Sequence, residues 1–182
     1  MDSALDVGAY IAQRYDIRDA PTIQLLAYYS QAWALVWSGR PLFADEIEAW
    51  ADGPVVRSIY AAEKAADLTV RHVDLSEDAQ ETVEAVCRFY VRDGRLTVPP
   101  PSSSSAEPWR AVAGMAQQAG LSRPVVSQAA MRRYYARLSL EGLARPAPPA
   151  LTVEVADEGK FQEFRKGHAR RWRAALDRLA DL

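Results

Sequence analysis

The sequence predicts a mainly α fold of about six to seven helices with one short antiparallel strand pair, an α-rich α+β arrangement being the alternative. Three observations lead there. Apolar residues recur at helical spacing in several segments, proline and glycine punctuate the chain between them, and two short stretches alternate apolar with polar residues. With 182 residues and 49% hydrophobic content, the chain is sized for one core.

Residues 3–15 carry Leu5, Tyr10 and Ile11, with Ala4 and Ala12 filling in, and form a short amphipathic helix. Pro21 then opens TIQLLAYYSQAWALVWSG, in which Ile23, Leu26, Ala27, Ser30, Trp33, Ala34 and Trp37 recur at helical spacing and Gly39 supplies a C-cap. This segment is apolar around much of its circumference, so it is the central helix that the others cover. After the turn at Gly39-Arg40-Pro41, residues 44–51 give another helical turn or two. Gly53-Pro54 breaks them before a helix from about Val55 to Ala66, making a compact helix-turn-helix pair.

Leu68 to Val73 and Leu151 to Val155 alternate apolar and polar residues, are rich in β-branched types, and are expected to pair as strands. Ser76, with Glu77 and Asp78 in the first turn, caps a helix running to about Arg92. VPPPSSSSAE, residues 98–107, has too little apolar surface to order itself and reads as a mobile loop. Helices at roughly 108–119 and 124–142 follow, then a second proline-rich joint at Pro146 to Pro149. A last helix bears the stripe Phe161, Phe164, His168, Trp172, Ala175 and Leu179. The chain thus divides into a helical domain over 1–145 and, over 146–182, a joint with a basic C-terminal helix packed on that domain.

Charge is unevenly spread. Between Lys160 and Arg178, seven Lys or Arg face only Glu163 and Asp177, a local +5 within a chain of −2, so the remainder carries −7. The longest unbroken apolar run, Ala32 to Trp37, is far short of a bilayer span, and the opening residues, with Asp2 and Asp6, lack a secretory pattern. A cytoplasmic location without membrane contact is the expectation. It agrees with Cys87 being the sole cysteine, which rules out an internal disulfide.

No catalytic constellation assembles. His72 falls in the expected strand and His168 on an apolar stripe, neither with a Cys or Asp at ligand spacing. The nine glycines are scattered singly, without a phosphate-binding loop, so no cofactor is expected. Asp45, Glu46, Glu48 and Asp52 read as a solvated helix face rather than a cation site. Aromatics are the other unusual feature. Trp33 and Trp37 belong to the core on the most apolar helix, whereas Trp50 and Trp109 stand beside proline, glycine or charge and suit core or interface equally. Binding, not enzymatic activity, is what the residues suggest.

Several of these motifs recur together elsewhere. IQLLAYYSQAWAL (Ile23 to Leu35), the Gly-x-Pro-Leu-Phe turn from Gly39 through Pro41 to Phe43, the Glu-Ala-Trp triplet ending at Trp50, and Gly53-Pro54-Val55-Val56 with Tyr60 stand in an order that resembles the Panacea domain. This family of bacterial and phage antitoxin-like proteins includes the SocA proteolytic adaptor. Glu107-Pro108-Trp109, Met131, Tyr134 and Tyr135 resemble its later landmarks, so the likeness runs over about residues 5–140. The sequence departs from the family where a helix-forming segment ending in Thr-His usually precedes the Pro-Trp pair. Here VPPPSSSS takes its place and the histidine is gone.

The resemblance implies an antitoxin or proteolytic adaptor that binds a cognate protein toxin, neutralising it or delivering it to a Clp-type protease subunit. Trp33, Gly39, Pro41, Phe43, Trp50, Gly53, Pro54, Val55 and Tyr60 are then scaffold residues first. Trp50, Trp109, Arg165, Arg170 and Arg173 are the expected partner contacts. The alternative is a winged-helix-like DNA-binding regulator built on residues 120–155, with Gln128, Arg132 and Arg133 in a major groove. The acidic balance outside the last helix opposes it.

Overall fold

The computed structural model describes residues 2–92, 95–97, 107–118 and 123–149. Six helices and two short antiparallel strand pairs are found there, a mainly α fold with small sheets. The anticipated final helix, with Arg165, Arg170, Arg173 and His168, lies outside the described residues, as do the loop at 98–106 and residues 151–155.

Helix α1, Ala4–Arg14, is capped by Ser3, whose side chain accepts from Leu5 N, and buries Val7 and Ile11. Helix α2, Ala20–Trp37, starts at Asp19, whose carboxylate accepts from Thr22 N at 3.0 Å. It is buried continuously from Gln31 through Leu35 and packs against α1, α3, α4, α6 and the first hairpin, so it is the covered central helix that its composition demands. Ser38 closes it and Gly39 follows at φ +72°, the left-handed turn that glycine adopts without a Cβ penalty.

Polar groups inside so greasy a helix need partners, and two glutamines find them on the main chain. Gln31 Oε1 accepts from Leu42 N at 2.7 Å and Phe43 N at 3.2 Å, while its Nε2 donates to Phe43 O at 3.0 Å. Gln24 does the same one hairpin later, accepting from Val56 N at 2.8 Å and donating to Val56 O at 3.3 Å. Each primary amide offers a donor and an acceptor in one plane, as a neighbouring β-strand would.

The segment expected to be helical over 44–51 is instead a strand, β1, Ile47–Trp50, paired antiparallel with β2, Gly53–Val56. Glu, Ala and Ile tolerate a helix, but pairing on both edges overrules that weak preference. Ala49 N donates to Pro124 O at 2.8 Å and Val126 N to Ile47 O at 2.8 Å, so residues 124–126 flank β1 opposite β2. Accordingly, α3 begins at Arg57, not Val55, and spans Arg57–Lys64. For the same reason α6, Gln128–Leu140, starts after Ser127 rather than at 124.

The strand expected over Leu68 to Val73 does not form. Leu68 is buried and Val70 is 78% exposed, so the alternation is real, but no described strand lies alongside. Gln13 Nε2 serves this segment instead, donating to Leu68 O at 2.9 Å and Arg71 O at 3.0 Å. Helix α4, Glu77–Tyr90, is capped by Ser76 as expected. It ends in a second hairpin, β3 Val91–Arg92 with β4 Arg95–Leu96, and α5 spans Pro108–Gln118.

The core is aromatic. Tyr29 stacks on Tyr90 at 4.3 Å, Trp33 meets Tyr135 edge-on at 5.4 Å, and Trp33 Nε1 donates to Tyr90 Oη at 3.1 Å. Burial disfavours phenolate in this setting. It pushes Tyr90 up to about 12 and Tyr28, Tyr29 and Tyr135 well above their ordinary 10.0. Cys87, buried beside Glu84, is pushed up to about 12 and is a protonated core thiol at neutral pH.

Two outcomes follow from this packing. Gln31→Leu strands three buried main-chain groups and should lower unfolding free energy by about 3 kcal/mol or more, read from urea denaturation. Because the buried tyrosines titrate higher folded than unfolded, their contribution is complete below pH 10 and lost as pH rises through the folded values. Phenolate absorbance and loss of helical circular dichroism should therefore rise together, above pH 10.

Candidate partner-binding groove

The first hairpin turns at Ala51-Asp52 and returns through Gly53 at φ +156°, directly opposite Trp50 in the register. Trp50 thereby stands half-exposed at the end of β1, its ring 5.2 Å from that of Tyr60 on α3. Between these rings, β2 and the start of α2 lies a groove of about 280 Å³, with Pro21, Leu25, Pro54 and Val55 among its walls and Asp52 at its rim.

Two cations cover the aromatic faces. The Arg123 guanidinium sits 4.7 Å from the Trp50 centroid and Lys64 Nζ 4.7 Å from that of Tyr60. Arg123 holds its position at φ +60°, an uncommon conformation for a side-chain-bearing residue and one that costs free energy. Beneath them, Glu48 is 9% exposed, accepting from Trp50 Nε1 at 2.8 Å and from Arg57 Nε at 2.5 Å. Burial alone pushes its carboxyl up, but the hydrogen bonds from Arg57 and Trp50, with the charges of Arg57 and Arg123, outweigh that and hold it below the usual range.

The β2 edge facing the groove is closed to a further strand. Val56 already gives both main-chain groups to Gln24, and Pro54, two residues earlier on the same side, has no N–H to offer. That geometry explains why proline is tolerated within this strand. A ligand here must be gripped by side chains and not by main-chain pairing.

The acidic residues expected on a helix face are dispersed. Asp45 accepts from Ser58 Oγ at 2.8 Å, Glu48 is paired as above, and Glu46 and Asp52 are exposed. No group of three or more metal-ligating side chains gathers among the described residues. His72 is exposed on the turn after α3.

Trp109 is 5% exposed and belongs to the core, beneath the Arg110 guanidinium at 4.4 Å. Its neighbour Glu107, 8% exposed, accepts from Tyr135 Oη at 3.0 Å and Arg110 Nε at 3.4 Å. Trp33 and Phe43 are buried, Val55 nearly so, and Pro41 and Tyr60 are half-buried. Gln128, Arg132 and Arg133 are exposed on α6, whose Met131 and Tyr135 face the core. Residues 143–149, after that helix, contain no strand.

Residues 24–92 match the family model described as antitoxin SocA-like, Panacea domain. The matched span, less than half of the chain, is similar to a Panacea domain. The match opens on Gln24, takes in Gln31, the first hairpin, α3 and α4, and closes at the end of β3, so both glutamine clamps and the Trp50–Tyr60 pair lie within the matched span. Glu107, Trp109, Arg123 and α6 lie beyond the matched span. The family is an antitoxin family and not an enzyme family. No curated protein and no solved structure matches the chain. No helix among the described residues is long and apolar enough to cross a membrane.

The glutamine clamps, the place of Arg123 and the pairing of Glu107 with Tyr135 come from the structure, Glu107 standing in the sequence only as part of the Glu107-Pro108-Trp109 landmark. Gln24 and Gln31, seven residues apart inside an apolar helix, carried a readable signal, since amides in such a setting must find partners. Arg123, before a proline in a glycine- and serine-flanked stretch, carried none. Gly53→Ala finds open space for its Cβ but a backbone that L-residues resist, so it should cost about 2 kcal/mol in urea denaturation.

Proposed function

We propose that this chain is an antitoxin that works by docking, binding a cognate protein toxin through the Trp50–Tyr60 groove and either holding it inactive or presenting it to a Clp-type protease subunit. The observation that carries the reading is a convergence. Trp50 of the Glu-Ala-Trp triplet, the Gly53-Pro54-Val55 turn and Tyr60 meet Pro21 and Leu25 of α2, some thirty positions earlier, around one aromatic groove within the matched span. Half-exposed Trp and Tyr beside arginine are the residue types that dominate protein interfaces when buried by a partner. Trp109, lying in the core, supports the aromatic scaffold behind the groove, and Arg165, Arg170 and Arg173 remain proposed contacts of the C-terminal segment.

Co-expression with the product of the adjacent gene tests this. The wild-type chain should restore growth and co-purify with that product, and the double variant Trp50→Ala/Tyr60→Ala, folded by circular dichroism, should lose both. Loss of the toxin's rapid turnover in cells lacking a Clp protease would identify delivery, whereas unchanged turnover with intact neutralisation would identify simple sequestration. A wild-type chain that forms no complex but shifts DNA with steep salt dependence would instead favour the exposed Gln128, Arg132 and Arg133 on α6.

A further inference from the structure

The chemistry of the groove restricts what it can hold. Its walls are apolar, through Leu25, Pro54 and Val55, and its volume of about 280 Å³ admits one or two large side chains rather than a folded surface. Two cations lie over the rings of its aromatic residues without themselves lining it. Among the described residues, neither Arg123 nor Lys64 lies within salt-bridge distance of a carboxylate, each being held over a ring instead, while Arg57 is spoken for by Glu48. A cation poised on an aromatic face without a salt-bridged carboxylate offers an incoming anion attraction, Arg123 acting on Glu48 only at longer range. The strained backbone at Arg123 fixes one of them there. The blocked β2 edge removes main-chain pairing as a binding mode, leaving anchor side chains and charge.

Resting on the docking function above, we propose that the groove recognises a short acidic segment of its protein partner that presents one or two large apolar side chains, the apolar anchor entering beside the Trp50–Tyr60 pair against Leu25, Pro54 and Val55 and flanking carboxylates meeting Arg123 and Lys64. Asp52 is the one acidic wall residue and opposes such a ligand, which gives the idea an internal control of opposite sign.

The test uses the full-length chain and a fluorescein-labelled peptide, Asp-Glu-Leu-Phe-Glu-Asp, read by anisotropy, beside a basic version, Lys-Arg-Leu-Phe-Lys-Arg, and an anchorless one, Asp-Glu-Ser-Ser-Glu-Asp. Saturable binding of the first peptide alone is expected, weakening as salt is raised. Trp50→Ala should lower affinity by about tenfold. Arg123→Gln should lower it by about threefold, and Asp52→Asn should raise it by about twofold. The two charge variants change exposed side chains and keep the test valid should Trp50→Ala fail to fold. Equal binding of the anchorless peptide, or binding unchanged in Arg123→Gln and Asp52→Asn, would place the peptide elsewhere, for instance on the basic stretch 160–178, and overturn the inference. No peptide binding alongside a Trp50-dependent toxin complex would overturn this ligand class while leaving the docking function standing. Peptide binding without any toxin complex would do the reverse.

Discussion

Two glutamine side chains on one helix set the geometry of this protein. Gln24 and Gln31 lie two turns apart on α2, and each grips the main chain of a segment with no strand on that side. A buried main-chain group left without a partner costs about 1–3 kcal/mol, so the clamps secure five such groups that the rest of the core could not serve. Their effect is also directional. Gln31 fixes the turn at Leu42-Phe43, Gln24 fixes Val56, and the hairpin between those points can then lie in only one way. Trp50 and Tyr60 owe their spacing to that restriction, so the groove depends on hydrogen bonds made in the interior.

The far side of α2 uses a different device. Tyr28, Tyr29, Trp33, Tyr90 and Tyr135 come from three helices and interlock through rings 4.3–6.3 Å apart. Their hydroxyls demand partners, and Glu107 supplies one at the point where the chain enters α5. Tyr28 Oη packs beside Tyr135 and the Trp109 main chain yet meets no partner in hydrogen-bond geometry among the described residues, as is true of Trp109 Nε1. Such a core tolerates neutral phenols and excludes phenolate, and it ties the later helices to the matched span although they lie outside it.

The helices were legible because their cues are local. Ser76 with Glu77 and Asp78 marked the start of α4, and the near-continuous apolar circumference of residues 23–37 marked α2 as central. The hairpin was not, because Asp45 to Trp50 carries a helical composition and its strand character comes from residues 124–126, over seventy positions away, and from the clamp on Val56. Leu68 to Val73 erred the other way, since its alternation was present but Gln13 took the place of a strand. Of the groove, Trp50 and Tyr60 could be picked out as residue types. Arg123 could not, because nothing local predicts that a residue before proline will adopt φ +60° and lay its guanidinium on a distant indole.

That arrangement separates the groove from a mere by-product of packing. Full burial of Trp50 and a common backbone conformation at Arg123 would each be the more favourable local choice. Instead an indole is kept half in solvent, a carboxylate is buried at 9% exposure to receive its N–H, and a strained residue covers its face. Glu48 is central to this. Without Arg57 and Arg123 its charge would be costly so far from water, and with them it stays ionised and orients the indole. Stability is thus traded for a partly exposed aromatic surface with a positive charge beside it. The same glutamine that orders the hairpin also closes the β2 edge against stray strands.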